Sequence, residues 1–495
     1  MASHRQLRSV KPGRYGYPVP GGGQVGWVET PNRWRGTTQQ ICGLWPWAVG
    51  TSTPTVGVPI GHHIYSGDSV CFDPISWYTR TSLINSPSVF ILGEPAMGKS
   101  SVVRRMVLGL AGRGITPLIL GDLKPDYANL IRALGGQVIS IGPGRDRINP
   151  LDVGPWTTLH TQVAEKTAQQ VRSSVVDRRT HMVIALISLI RGERASSDES
   201  TVVAAALRYL SQQELQNNHQ PLLSDVLHTI QNPPLAVREV TLFAGAGQER
   251  RYQDATGPVQ QALLALLNGA LGDTFNGPTT SPIDLNTPAI CVDISGIDYT
   301  DELRTAATLL STWSYGFGTL DAAHLLADEG LGPPRTFFTV LDEMWRVLRM
   351  GSGLIDRADA LTRLNRQQGT GIAYVTHGLA DLDALPSEAD RAKARGFADR
   401  SAVLMAAAST EAELEAISKV RPLSAAETSE VLSWSSPESW SGTASEASAG
   451  LGNFLIKVGS RPGIPVHLAL TNAELQLGNT DFRWNIATAR QGVAA

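Results

Sequence analysis

Cysteine is scarce in this chain of 495 residues: Cys42, Cys71 and Cys291 are the only three, and no two share a paired spacing. That excludes a disulfide framework and a zinc ribbon, and it fits a reducing compartment. Long apolar runs are also lacking. Met182–Ile190, the longest in the middle of the chain, covers nine residues and is interrupted by Ser188, far short of the ~20 that cross a bilayer. The amino terminus, MASHRQLRSVKPGR, is basic but carries no apolar stretch of a signal peptide. A soluble chain is therefore expected, with any membrane association supplied by a partner. Excess charge of one sign is missing too: 42 Lys and Arg stand against 45 Asp and Glu, for a net charge of −3. Such a balance argues against coating nucleic acid by bulk charge, though it leaves room for a local basic channel. Only seven of the basic residues are lysines (Lys11, Lys99, Lys124, Lys166, Lys393, Lys419, Lys457), so a lysine inside a motif is informative.

Hydrophobic residues make up 42% and charged residues 18% of the chain, which is enough to bury a sizeable core and excludes global disorder. The pattern changes along the sequence. Residues 1–80 are rich in Gly, Pro, Thr and Trp and read as a small β-rich lead-in. From residue 81 to 155, apolar runs such as SVFILG, TPLILGD and QVISIG alternate with helix-like stretches. Residues 156–280 show helical spacing almost throughout, for example in HMVIALISLIRG and GPVQQALLALLNGAL, and read as an all-helical insertion. Strand-like runs resume from 281 to 495 in PAICVDIS, RTFFTVLDE, GIAYVTH and SAVLMAA. A Ser/Ala/Gly-rich loop over Ser435–Gly450 precedes NFLIKV and PVHLALT, which read as a hairpin. Buried strands alternating with helices predict an α/β fold with a mainly parallel sheet.

Gly93-Glu94-Pro95-Ala96-Met97-Gly98-Lys99-Ser100 matches G-x-x-x-x-G-K-[ST] in full, between an apolar strand and a helix that opens with Ser101. Glycines allow a tight turn whose N–H groups face phosphate oxygens, Lys99 can reach the β- and γ-phosphates, and the Ser100 hydroxyl can ligate Mg²⁺. The helix adds its positive amino-terminal end. ATP with Mg²⁺ is the expected occupant. The run TFFTVLDE has the shape of a Walker B element. Asp342 would hold Mg²⁺ and Glu343 would polarise the attacking water; the alternative is an acidic pair capping the next helix. His377 ends the following strand, where a polar side chain can sense the γ-phosphate, or can simply be a buried or capping histidine. Arg363 and Arg366 precede that strand and could be donated to a neighbour's nucleotide, or could be solvated helix residues. Asp122 and Lys124 follow a strand end, in a second-shell role or in a plain turn. His62-His63 has no partner pattern for a metal.

Together these segments resemble the HerA–FtsK superfamily of P-loop ATPases, and most of all the ATPases of conjugative transfer and type IV secretion systems (the TraC and TraG kind). The resemblance is carried by GEPAMGKSS, by LILGDLKPDYANLIRALGGQVISIGPGRDRINPLD, by VLDEMWRVL and by TRLNRQQGTGIAYVTHGLADLDAL, and it covers roughly residues 50–490. The family pattern matches Asp122, Asp126-Tyr127, Gly135-Gly136, Asn149-Pro150-Leu151-Asp152 and Asp342-Glu343-Met344-Trp345, with Arg366 eleven residues before His377. It departs at His377, where the family has Gln, at Ala96-Met97 in the loop, and in its short amino-terminal region. The resemblance implies a RecA-like core and Mg-ATP bound between subunits of a ring, a hexamer in this family. Lys99, Ser100, Asp342 and Glu343 would act in cis, with Arg366 in trans (Arg363 and Arg400 being the other candidates). It also implies inner-membrane components of a secretion or conjugation channel as partners, contact with DNA or a relaxase complex, and a cytoplasmic place at the inner face of the membrane. Two alternatives remain open: a DNA-pumping coupling protein, with VRSSVVDRRTH (Arg172, Arg178, Arg179) and QERRY (Arg250, Arg251) as candidate pore linings, and a non-hydrolysing assembly scaffold.

Overall fold

The computed structural model describes residues 53–159, 161–217, 219–240, 249–349, 369–379, 385, 388–435 and 450–478. Eleven strands form one sheet: β1 (Pro59–His63), β2 (Ser69–Cys71), β3 (Ser88–Leu92), β4 (Thr116–Asp122), β5 (Gln137–Ser140), β6 (Ile290–Asp293), β7 (Phe337–Leu341), β8 (Thr370–Val375), β9 (Val403–Ala406), β10 (Asn453–Lys457) and β11 (Ile464–Leu468). Their order is β2-β1-β11-β10-β9-β3-β8-β7-β4-β6-β5. The seven strands from β9 to β5 run parallel. β10, β11, β1 and β2 extend them through antiparallel pairs, so residues 59–71 complete one edge of the main sheet.

The parallel strands are apolar on both faces because both faces are covered. All five residues of β3 are buried. Val89 and Ile91 enter one core, while Phe90 and Leu92 enter the other. β9 divides in the same way, with Val403 and Met405 opposite Leu404 and Ala406. Helices Lys99–Ala111 and Ala128–Ala133 cover the first face. The second lies under helix Glu302–Asp328, which is buried at every position from Thr305 to Leu320 because a further layer of helices covers it. Among the described residues, every regular element from Trp156 to Phe275 is a helix. Helices Glu165–Arg191, Ser197–Asn217, Leu223–Gln231 and Glu249–Asn268 share one continuous hydrophobic core with the sheet.

The Asn149–Asp152 turn joins these helices to the sheet. Asn149 Nδ2 donates to the Pro221 carbonyl at 3.0 Å, and the fully buried Arg179 donates from Nε to the Leu151 carbonyl at 2.9 Å. The Arg179 guanidinium is neutralised by Glu214 and bonded to Ser211. Arg178 pairs with Asp321 and Arg172 with Glu165. The three arginines of VRSSVVDRRTH therefore serve intramolecular ion pairs, and Arg179 is too deep to line a pore.

Candidate nucleotide-binding site

The segment Gly93–Ser100 leaves the carboxyl end of β3 and enters helix Lys99–Ala111. Neighbouring strand ends hold it. The Gly93 N–H donates to the His377 carbonyl at 3.1 Å, just past β8, and the Glu94 N–H donates to the Ala408 carbonyl at 2.8 Å, just past β9. Gly93 has φ of 147°, and a Cβ there would meet the Ala407 Cβ at 2.6 Å, so this approach needs glycine. Ala96 adopts φ of 64°, a left-handed conformation uncommon for a residue with a side chain. Pro95 and Ala96 are exposed at the tip, while Met97 packs against both cores. The buried Lys99 folds over the loop and donates from Nζ to the carbonyls of Gly93 (2.6 Å) and Glu94 (2.8 Å). Ser101 Oγ accepts from Arg104 at 2.9 Å.

The second group of side chains comes from β4. The ladder to β6 shifts register between Leu120 and Asp122, where Gly121 sits at φ of 123°. A Cβ on Gly121 would meet Leu309 Cδ2 at 2.2 Å, and the Leu120 carbonyl takes a 2.7 Å bond from Trp313 Nε1. This bulge re-aims the strand end. The buried Asp122 carboxylate accepts from the N–H groups of Asp126 (3.0 Å), Tyr127 (2.9 Å) and Ala128 (3.0 Å), and so caps helix Ala128–Ala133. Burial, opposed by those three N–H groups, raises its pKa to about 7. Burial also raises Asp126, although a hydrogen bond from the Ser100 hydroxyl and the charges of Arg104 and Lys124 oppose it.

Asp342 and Glu343 follow β7. Asp342 Oδ2 accepts from the Tyr127 hydroxyl at 2.9 Å, and Oδ1 accepts from the Glu343 N–H at 2.9 Å. Burial and the charge of Glu343 raise its pKa to about 6. Glu343, at φ of 53°, is buried among donors. Its Oε2 accepts from Trp345 Nε1 at 2.6 Å, while Oε1 lies 3.3 Å from Lys124 Nζ and 3.4 Å from His377 Nε2. Burial opposes its ionisation, yet the His377 hydrogen bond and charge, with Lys124 and Trp345, hold its pKa at about 2.

The structure thus brings Gly93–Ser101, Asp342, Glu343 and His377 together at the carboxyl edge of the parallel strands. Arg363 and Arg366 lie outside the described residues. Arg400 ends helix Glu388–Arg400 just before β9, on the opposite edge of the sheet, with its guanidinium over the Phe397 ring. Three contacts were not legible in the sequence. Lys124 pairs with Glu343, and Tyr299 places its ring 3.9 Å from the Arg346 guanidinium and 5.7 Å from Lys124 Nζ. The rarity of lysine and a place just past a strand end were the signals available for Lys124.

These residues suit a nucleotide with Mg²⁺. A buried lysine on a tight loop at a helix start offers a cation to phosphate. The hydroxyl of Ser100 and the carboxylate of Asp342 are the oxygen donors that a hard cation takes. Among the described residues, no group of three or more His, Cys, Asp or Glu could hold a metal. Mg²⁺ is commonly held by one or two protein ligands together with phosphates and water.

Fold and motifs define a RecA-like α/β core of the P-loop class. No protein-family model and no curated protein matches the chain. Among solved structures it is similar to VirB4 of Thermoanaerobacter pseudethanolicus, with a TM-score of 0.63 and 16% identity over 86% of this chain and 100% of that one. A weaker likeness reaches the plasmid coupling protein TrwB in complex with a non-hydrolysable ATP analogue, with a TM-score of 0.49 and 13% identity over 86% of this chain and 96% of that one. The fold is thus shared with VirB4.

Proposed function

We propose that this chain is an ATP-hydrolysing motor of a conjugative DNA-transfer or type IV secretion apparatus, with Mg-ATP bound between subunits of a ring. The observation that carries this reading is the convergence of Gly93–Ser100, Asp342, Glu343 and His377 on one strand edge, within a fold shared with VirB4 over that chain's full length. The nucleotide supplies the phosphoanhydride bond whose hydrolysis drives the motor. Lys99 would exchange its loop carbonyls for phosphate oxygens. Ser100 and Asp342 would hold Mg²⁺, and the Tyr127 hydroxyl would keep the Asp342 carboxylate turned inward. Glu343 stays ionised at neutral pH and would orient the attacking water. His377 would donate to the terminal phosphate, in the place of the family's Gln. Arg366 of a neighbouring subunit would stabilise charge in the transition state. Among the described residues no helix is long and apolar enough to cross a membrane, so attachment to the inner membrane would come through channel components. DNA or a relaxase complex would be a further partner.

ATP turnover by the purified chain, at rising protein concentration and with or without duplex DNA, tests this. Turnover that steepens with concentration, ignores free DNA and disappears in Lys99→Ala is expected. Strong stimulation by DNA would replace the secretion motor with a DNA translocase. ATP binding without turnover at any concentration would replace it with a scaffold.

A further inference from the structure

Three donors engage the Glu343 carboxylate on the geometry described, and Arg346 Nε lies 3.9 Å from its Oε2. Trp345 holds Oε2, and Lys124 and His377 share Oε1. Of these donors Lys124 is the one free to leave. Its side chain is half exposed, at 50%, while that of Glu343 is 10% exposed. Its ammonium is a compact charge on a flexible stem. The nearby groups that attract it are the Tyr299 ring at 5.7 Å and the Asp126 carboxylate, which also takes the Ser100 hydroxyl bond. Lys124 therefore stands between the candidate base and the residue that follows Lys99 in the phosphate loop. His377, by contrast, is tied through its backbone carbonyl to Gly93, and Trp345 is anchored in its own helix.

We infer that Lys124 is a latch: it holds the Glu343 carboxylate in a resting position and leaves it for the terminal phosphate of a bound nucleoside triphosphate. This deepens the ATPase reading and rests on it. A diphosphate lacks the charge that draws Lys124 away, so the latch ties the freedom of Glu343 to the presence of the third phosphate. Lys124 is then a positioning residue for Glu343 and a discriminator between the two nucleotides. No bond is made or broken in the exchange, and one ammonium ion pair replaces another.

The test measures ATP and ADP affinities by displacement of a fluorescent nucleotide, together with kcat and KM, on the full-length chain. Lys124→Met is expected to lower the ratio of ATP to ADP affinity about tenfold, the scale of one charge-assisted hydrogen bond, and to lower kcat. Lys124→Arg should restore most of the ratio. Glu343→Gln removes the competing carboxylate, so it should raise ATP affinity and leave ADP affinity unchanged. That gain should vanish when Lys124→Met is added. An unchanged ratio in Lys124→Met with normal melting, or additive effects in the double variant, would overturn the latch. A wild-type chain whose ATP affinity does not depend on Lys99 would instead overturn the ATPase reading, which separates the two failures.

Discussion

At the scale of single residues, Glu343 concentrates the chemistry of the site. A carboxylate with a pKa of about 2 stays ionised across the neutral range but is a weak proton acceptor, so on the proposed reading Glu343 would orient and polarise the attacking water. Glu343→Gln keeps the shape and removes the charge. We expect kcat to fall by about 100-fold or more, the range for a lost general base, with ATP bound at least as tightly as in wild type. Single-turnover hydrolysis and equilibrium binding check the two halves, and unchanged turnover would remove Glu343 from the mechanism. The loop and the Asp342-Glu343 pair were legible in the sequence because each motif is contiguous and its chemistry depends on local spacing. The contact between Lys124 and Glu343 was not, since 219 residues separate them and only the pairing of β4 with β7 brings them together.

Elements set the second scale, and here Asp122 shows how a strand end is turned into a support. Its carboxylate caps helix Ala128–Ala133 from within the buried end of β4, and Tyr127, positioned by that cap, bonds Asp342. Its pKa is raised from 3.8 to about 7. For a carboxyl raised on folding, the native state binds the extra proton between those two values, so its contribution to stability is present at low pH. That contribution is lost as pH rises toward 7. We expect wild type to lose a few kcal/mol relative to Asp122→Asn between about pH 4 and pH 7, read from denaturant melts of the two chains side by side. Parallel stability curves would refute this. The alternation of strands and helices that frames this cap was readable from apolar runs ending in Gly, Ser or Asp. The bulge at Gly121 was not, because it depends on Leu309 and Trp313 pressing from a distant helix. The NPLD segment carried family resemblance in the sequence, yet its physical role appears only in three dimensions, as the joint that Asn149 and Arg179 make between sheet and helices.

At the scale of the whole molecule, the proposed ring would have one chain complete its neighbour's site. Within a chain, the described basic side chains around Glu343 are Lys124, His377 and Arg346. A transition-state arginine donated across a ring interface would come from another part of the surface. The resemblance assigns it to Arg366, with Arg363 and the opposite-edge Arg400 as competitors. Mixing separates them. Lys99→Ala subunits and Arg366→Ala subunits are each expected to be inactive alone. If Arg366 acts in trans, a mixed ring regains interfaces where an intact Lys99 faces an intact Arg366. At equal ratio and random assembly, about a quarter of interfaces qualify, so activity should recover toward about a quarter of wild type. If Arg366 served its own chain's nucleotide, no mixture would recover. The same experiment with Arg363→Ala or Arg400→Ala in place of Arg366→Ala identifies the donor, because the true finger is the one whose loss both abolishes turnover alone and is complemented by Lys99→Ala.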